Sequence, residues 1–246
     1  MNADPAAQLR LLDLQAADTA LAQLAHRRRT LPELAALAER EQRAADLAND
    51  LIDAETRASD VADEQNRLEK EVDTVRARAA RDEQRLQAGG LPAKELEGLQ
   101  HEVATLARRQ STLEDNVLEV MEQREEVDAA LAELVAQRTV LQGEQAELEA
   151  ARDKAFVEIE ASVGERTAER TTVAGQIPAD LLSLYERARE HGGGVGAAML
   201  RQRRCEGCRI ELAGSELSAV RTAAPDEVVR CDNCRRILVR TDESGI

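Results

Sequence analysis

Apolar side chains recur along two long stretches of the chain at intervals that alternate between four and three residues. This is the spacing of a coiled coil, in which the recurring positions form the buried seam of a helix. Ten of the twelve seam positions in the first stretch are apolar, so the pattern predicts two long helices that each bury one stripe. The first seam is Leu47, Leu51, Ala54, Ala58, Val61, Gln65, Leu68, Val72, Val75, Ala79, Asp82 and Leu86. The second is Leu96, Leu99, Val103, Leu106, Gln110, Leu113, Val117, Val120, Arg124, Val127, Leu131, Leu134, Arg138, Leu141, Gln145, Leu148, Arg152, Ala155 and Ile159.

A short segment between the two seams carries the signals of a helix end and a helix start. Gly89 and Gly90 supply a left-handed stop, and Pro92 suits the first turn of a following helix. The chain is therefore expected to fold back into an antiparallel hairpin in which Leu51 faces Leu131. Pro32 interrupts the first arm, where the sequence allows either a kink or a break followed by a new helix.

Two arginines occupy seam positions of the second arm. The register predicts that Arg124 lies opposite Ala58 and Arg138 opposite Ala44. Beside such small partners an arginine stem can lie along the helix while its guanidinium reaches water. Polar seam residues of this kind fix the pairing of helices, and we favour that role over ligand binding.

The composition does not support a thick globular core. The chain of 246 residues has one Phe, one Tyr and no Trp, so Ala, Leu and Val must supply the buried area, which suits contacts between two helices. No run of eighteen apolar residues offers a membrane span. The first residues lack the basic and apolar segments of a signal peptide, and we expect a cytoplasmic protein.

All four cysteines lie near the end of the chain as two CxxC pairs. Cys205 and Cys208 form the first pair, Cys231 and Cys234 the second, and 22 residues separate the pairs. Each pair can bend into a knuckle that offers both sulfurs to one tetrahedral ion. Four unpaired thiols or two disulfides are the alternatives, but a gap of two residues strains a disulfide and nothing in the sequence indicates export. We predict one structural Zn²⁺ per chain, held by these four thiolates.

The predicted fold class is mainly α, a long antiparallel helical hairpin followed by a small β zinc ribbon. Residues 1–176 form the coiled-coil hairpin, residues 177–191 a short connecting helix that starts at Pro178, and residues 192–246 the C4 zinc ribbon. Strand-like pieces within the ribbon lie at 195–200, 210–212, 227–230 and 237–239, with a helical turn at 216–220. So small a piece buries little apolar surface, so the metal is expected to supply the missing stability.

These motifs resemble a bacterial family that combines a coiled coil with a C4-type zinc ribbon. The resemblance is carried by residues 94–102, 113–115, 120–122, 177–187, 192–195, 205–208 and 231–238. It implies a hairpin with a metal-binding ribbon. Known relatives include flagellar regulators that bind an alternative sigma factor and flagellin messenger RNA, and a protein associated with type III secretion. One departure is Arg235, where the family usually has glycine after the last cysteine.

Nothing in the sequence points to catalysis. A zinc ion with four thiolates has no open position for water. The three histidines, His26, His101 and His191, are scattered and have no nucleophile or carboxylate pair around them. We therefore predict a binding protein that is not an enzyme and has no small-molecule substrate or membrane partner.

Arginines flank both knuckles and define the candidate binding surface. Residues 192–246 contain nine arginines and eight acidic residues, whereas residues 1–191 contain 24 basic and 40 acidic residues. Clustered arginines suit the phosphates of RNA or DNA. An equally open interpretation is that the ribbon strands point their arginines outward for solubility. The alternative is a protein–protein adaptor or chaperone of the transcription or secretion apparatus that acts through the coiled coil. The candidate residues are Arg201, Arg203, Arg204, Arg209, Arg230, Arg235, Arg236 and Arg240.

Overall fold

The computed structural model describes residues 1–246, and most of them are helical. The four main helices are α1 (Pro5–Arg29), α2 (Pro32–Ala88), α3 (Ala93–Ala174) and α4 (Ala179–His191). The C-terminal region contains β1 (Ala197–Arg201), β2 (Arg204–Cys205), α5 (Gly214–Thr222), β3 (Val229–Arg230), β4 (Ile237–Val239) and a 3₁₀ turn at Asp242–Ser244. The predicted fold class, a helical hairpin followed by a small β-containing ribbon, is confirmed. None of the helices is both long enough and apolar enough to cross a membrane.

The chain divides into two compact units. The hairpin unit is Ala35–Glu149, and the base unit consists of Met1–Leu34 together with Ala150–Ile246. This division differs from the motif order along the chain, which placed boundaries at residues 176 and 191. The physical reason is that the ribbon strands have two to five residues and share their core with helices from elsewhere in the sequence.

The hairpin unit is built on the predicted seams. All twelve seam positions of α2 are buried or half-buried. One apolar cluster joins Leu68, Val72 and Val75 of α2 to Leu106 and Leu113 of α3. A second cluster contains Leu47, Leu51, Leu131, Leu134 and Leu141, which places the predicted partners Leu51 and Leu131 in one core. The seams therefore pack against each other as the antiparallel pattern requires.

The turn and the polar seam residues follow the sequence signals with one difference. Gly89 and Gly90 have φ angles of +69° and +82°, the left-handed values that glycine adopts without strain. Arg138 is exposed, as expected. Arg124 does not reach only water: its Nη1 donates to Gln65 Oε1 at 3.0 Å, one heptad away from the expected partner Ala58. A polar seam residue on α2 thus accepts a hydrogen bond from this guanidinium, which also pairs with Asp128 at 3.6 Å.

Pro32 starts a new helix. α1 ends at Arg29, the backbone N–H of Thr30 donates to His26 and Arg27, and α2 begins at Pro32 itself. Proline at the first helical position lacks only an N–H that would have no helical acceptor. Of the two alternatives that the sequence left open, the structure has the break.

The base unit has a core to which helices and strands contribute together. Leu11 and Leu14 of α1 and Tyr185 of α4 pack with Ile237 and Val239 of β4, and all five are fully or almost fully buried. The sheet order is β2-β1-β4-β3, with β1 parallel to β4 and the other pairs antiparallel. The start of the chain adds to the sheet edge, because Val228 N donates to Met1 O and Ala3 N to Asp226 O. The ribbon is therefore one layer of a larger core.

Candidate metal centre

The two CxxC segments adopt the same backbone turn. Arg209 N donates to Cys205 O at 2.7 Å, and Arg235 N donates to Cys231 O at 2.8 Å. The N–H groups of Cys205 and Cys231 donate in turn to Ile210 O and Arg236 O, both at 3.0 Å. Each turn therefore presents its two sulfurs to the same side, as a zinc knuckle does.

The four sulfurs form a cluster with the dimensions of a zinc site. Cys205 Sγ lies 3.8 Å from Cys234 Sγ, and Cys208 Sγ lies 3.9 Å from Cys231 Sγ. All four sulfurs lie within 4.8 Å of one another. A tetrahedral Zn²⁺ with Zn–S bonds of about 2.3 Å separates its sulfurs by about 3.8 Å. The donor set and its spacing fit zinc, and four thiolates would fill the coordination sphere and leave no place for a reacting water.

The surroundings give the thiols unequal acidity. Burial raises the pKa of Cys205 well above the ordinary thiol value and raises that of Cys231 to about 11. Burial also acts to raise the pKa of Cys208, but hydrogen bonds from the Ile210 backbone and the Asn233 side chain outweigh it and lower that pKa to about 7. Zinc binds the deprotonated form. Metal binding must therefore displace protons from Cys205 and Cys231 at neutral pH, so the zinc affinity rises with pH.

An apolar shell and one side-chain contact hold the knuckles in place. Leu200, Leu212 and Val220 pack around the sulfurs and are almost completely buried. Glu216 of α5 accepts a hydrogen bond from Asp232 N at 2.9 Å, which ties the second knuckle to the helix. The shell limits water access to the sulfurs, a feature that stabilises metal–thiolate bonds.

The residue after each knuckle has a left-handed backbone. Arg209 and Arg235 both have φ of +62°, values that side chains other than glycine rarely adopt. The resemblance pointed to Arg235 but not to Arg209. The repeated CxxC motif could have indicated the left-handed backbone at Arg209, because Arg209 follows the first pair as Arg235 follows the second.

The eight candidate arginines divide into three groups. Arg236 donates to the carbonyls of Gly192, Val195 and Gly207, and Arg240 donates to those of Ala223, Ala224, Pro225 and Glu227. These two guanidiniums hold loops of the protein. Arg201 pairs with Glu243 at 2.8 Å, while Arg203 and Arg230 each donate to one carbonyl, Gly245 O and Arg235 O. The guanidiniums of Arg204, Arg209 and Arg235 are exposed and contact no acceptor in the protein.

Comparison with known proteins shows which families this architecture matches. Residues 14–193 match the CT398-like coiled coil hairpin domain, and residues 204–238 match the C4-type zinc ribbon domain. The chain belongs to the CT398-like hairpin family. This confirms the resemblance found in the sequence.

Relatives of this protein match over nearly its whole length. An uncharacterized protein of Mycobacterium tuberculosis strain H37Rv is 41% identical over 246 residues, 98% of each chain. A solved structure from Mycobacterium smegmatis is 38% identical, with a TM-score of 0.88 over 98% of this chain and 100% of the other. CT398 from Chlamydia trachomatis is 20% identical, with a TM-score of 0.70 over 96% of this chain and 98% of the other, and supports the fold alone.

Family membership and sulfur geometry together establish the cofactor. The protein has a C4-type ribbon whose four cysteines lie close together in space, and these hold one structural zinc. Coiled coils and C4 ribbons are typically binding modules and not enzymes. The comparisons thus indicate a non-enzymatic binding protein and leave the kind of partner open.

Two features of the base unit escaped the sequence reasoning. Gln15 Oε1 accepts from Gly196 N at 2.7 Å and Gln15 Nε2 donates to Gly194 O at 3.1 Å, which fixes the glycine-rich segment before β1. No local sequence pattern predicts such a contact between residues that are far apart in the sequence. The second is a basic run at 26–29, in which Arg28 pairs with Glu160 and lies 5.0 Å from the Phe156 ring. The sequence alone could have indicated this run, because Arg27, Arg28 and Arg29 are consecutive.

Proposed function

We propose that this protein binds nucleic acid through the arginines that flank its zinc centre. The observation that carries the proposal is the set of three exposed guanidiniums, those of Arg204, Arg209 and Arg235, that have no acceptor within the protein. Arginine donors of this kind suit phosphate oxygens, which they bind in a bidentate way. Because Arg209 and Arg235 each follow a knuckle of one sulfur cluster, they flank the same ion.

The left-handed backbone at Arg209 and Arg235 adds support. A left-handed conformation costs a residue with a side chain about 1 kcal/mol relative to glycine. Two of the three exposed arginines without an acceptor thus stand where glycine would be unstrained, which favours a role for their side chains. Arg203 also has a left-handed backbone, but its guanidinium donates to Gly245 O. Gln202 has a φ of +47° and carries no charge, so it offers a matched position without the proposed role.

The charge distribution agrees with binding at the ribbon and not along the hairpin. The hairpin unit contains 14 basic and 28 acidic residues, whereas the base unit contains 19 basic and 20 acidic residues. The hairpin unit would repel phosphates, and the base unit would not. Residues 192–246 contain no Phe, Tyr or Trp, so stacking on bases cannot contribute there. The expected contacts are with the backbone of duplex or structured nucleic acid.

The test uses the full-length zinc-loaded protein with Arg209→Gly and Arg235→Gly combined. We expect the affinity for a short RNA hairpin or a short DNA duplex to fall at least tenfold, and the salt dependence to weaken by about two phosphate contacts. The free energy of unfolding should change by less than about 1 kcal/mol, because relief of left-handed strain offsets the greater freedom of unfolded glycine. Fluorescence anisotropy across a salt series measures the binding.

Gln202→Gly is the control and should leave binding unchanged. Absence of wild-type binding to either nucleic acid at low salt would overturn the proposal. So would a double variant that binds normally. Loss of zinc from the double variant would assign these arginines to balancing the charge of the thiolates, and would also overturn it.

A further inference from the structure

One side of the hairpin unit carries a stripe of exposed apolar side chains. Ile52, Leu118, Met121 and Val135 are 60%, 59%, 41% and 38% exposed. Each directly follows a seam residue, respectively Leu51, Val117, Val120 and Leu134. In an antiparallel coiled coil the positions that follow the seam on both helices face the same side. These four residues form the apolar stripe.

A groove between the two helices lies along this side. It has a volume of about 470 Å³, and its apolar lining is Val72, Val117 and Leu118. The polar residues of its lining are Glu69, Asp73, Arg76 and Glu114, each of which also directly follows a seam residue. The groove therefore confirms that residues following the seams of α2 and α3 meet on one side of the hairpin.

The arginines of α2 are sorted between the two sides of the hairpin, whereas carboxylates lie on both sides. Five arginines of α2 directly precede a seam residue and so lie on the side away from the stripe, whereas Arg76 alone directly follows one. Arg76 is itself paired with Glu114 at 3.0 Å. Eight carboxylates between Ile52 and Val135 directly follow seam residues; Glu83 and Glu97 lie near the turn at Gly89 and Gly90, and the other six lie along or beside the stripe. These six are Glu55, Glu69, Asp73, Glu114, Glu125 and Asp128.

We propose that the apolar stripe docks a basic amphipathic helix of a partner protein. Leu118 and Val135 are 17 residues apart on α3, which is about 25 Å along the helix axis. A helix of about 18 residues would cover that length and bury its apolar face as a third helix against the pair. Lysines or arginines beside that face would meet the six carboxylates. A second copy is disfavoured because the hairpin unit has 28 acidic and 14 basic residues and repels itself.

This surface is separate from the ribbon arginines. Protein binding at the hairpin goes beyond the proposed nucleic-acid binding and does not depend on it. The experiment below changes no ribbon residue, so either proposal can fail alone.

The test measures binding of a synthetic peptide to the full-length zinc-loaded protein by fluorescence anisotropy. The peptide is an amphipathic helix of about 18 residues, with leucines at helical spacing and lysines and arginines beside them. One control peptide has glutamates in place of the basic residues, and a second is a scramble of the same composition. We expect binding of the basic amphipathic peptide only.

Variants on the two sides of the hairpin locate the site. Ile52→Ser combined with Leu118→Ser should weaken peptide binding at least tenfold, while the exposed positions leave the helical circular dichroism unchanged. The matched control is Val140→Ser, since Val140 is 63% exposed but directly precedes the seam residue Leu141. Glu69→Gln with Glu125→Gln should weaken binding and reduce its salt dependence.

Four outcomes would overturn the proposal. The scrambled or acidic peptide could bind as well as the basic one, or Val140→Ser could weaken binding as much as the stripe variant. The basic peptide could also fail to bind. Sedimentation could instead reveal a dimer of the protein that the stripe variants dissociate, which would assign the stripe to a second copy.

Discussion

The hairpin unit and the base unit bury their side chains in different ways. In the hairpin unit one narrow seam is buried, and even the seam residue Leu96 remains 37% exposed. In the base unit α1 is buried at Ala7, Gln8, Leu11, Leu14, Gln15, Ala17 and Asp18, because it contacts other elements over a wide face. A two-helix pair needs only a repeating apolar stripe, whereas a mixed core also encloses polar groups that must find partners.

The polar groups of the base unit form a connected network. Asp18 is 3% exposed in its side chain and accepts from Tyr185 Oη at 2.6 Å and from Arg170 Nε at 2.7 Å. Arg170 also pairs with Glu186, and Glu186 pairs with Arg189 at 2.9 Å. Burial raises the pKa of Tyr185, and the Asp18 carboxylate raises it further, so the phenol remains a donor. The network joins α1, α3 and α4 around the buried Asp18 carboxylate and the buried Tyr185 phenol.

The largest predicted effect is that loss of zinc unfolds the base unit and leaves the hairpin unit folded. Cys231→Ser removes one zinc ligand, and a structural zinc contributes about 10 kcal/mol or more to the folding of a small domain. Because α1 and α4 share their core with the ribbon, we expect these helices to lose protection together with β1 and β4. The hairpin unit should stay folded. Zinc analysis and hydrogen exchange resolved by segment measure both effects.

Unfolding of the ribbon without α1 and α4 would contradict this prediction. If the variant lost its zinc but the amides of α1 and α4 kept their protection, the shared core would not couple them to the metal. Ser215→Ala, an exposed change near the start of α5, is a control that should leave the zinc content and all protection unchanged.

A smaller effect distinguishes buried from exposed ion pairs. Asp18→Asn leaves two arginines beside a neutral group in the buried network, and we expect a loss of about 3–5 kcal/mol in the free energy of unfolding of the base unit. Glu64→Gln breaks the exposed pair with Arg67 in the hairpin unit and should leave stability unchanged. Denaturant unfolding followed by circular dichroism measures both variants. Equal effects would mean that burial does not distinguish the two pairs.

The smallest predicted difference compares two buried leucines. Leu11→Ala in the base unit should cost about 3–5 kcal/mol, because Leu11 is completely buried within a core that surrounds it. Leu68→Ala at the seam should cost about 2–3 kcal/mol, since a hole beside two helices can partly close or admit water. Denaturant midpoints with unchanged slopes test this order. A larger loss for the seam leucine would contradict it.

The sequence was sufficient for the parts of the molecule that repeat. The seams, the turn at Gly89 and Gly90, and the four zinc ligands each follow from local spacing, because a heptad or a CxxC pair constrains geometry over a few residues. The strand at 237–239 was predicted at its observed position. The piece at 210–212 forms only an isolated bridge between Arg204 and Glu211.

Only the tertiary structure decided what depends on residues far apart in the chain. The sequence left Pro32 open between a kink and a break, and the structure has the break. The sequence places eight arginines near the knuckles. In the structure, Arg236 and Arg240 donate to carbonyls of distant loops, whereas Arg209 and Arg235 are exposed. The partners of Asp18 lie 152 and 167 residues away at Arg170 and Tyr185. Local patterns determine which stripe a helix buries and which atoms can bind a metal, whereas the choice among distant hydrogen-bond partners is made only when the core closes around them.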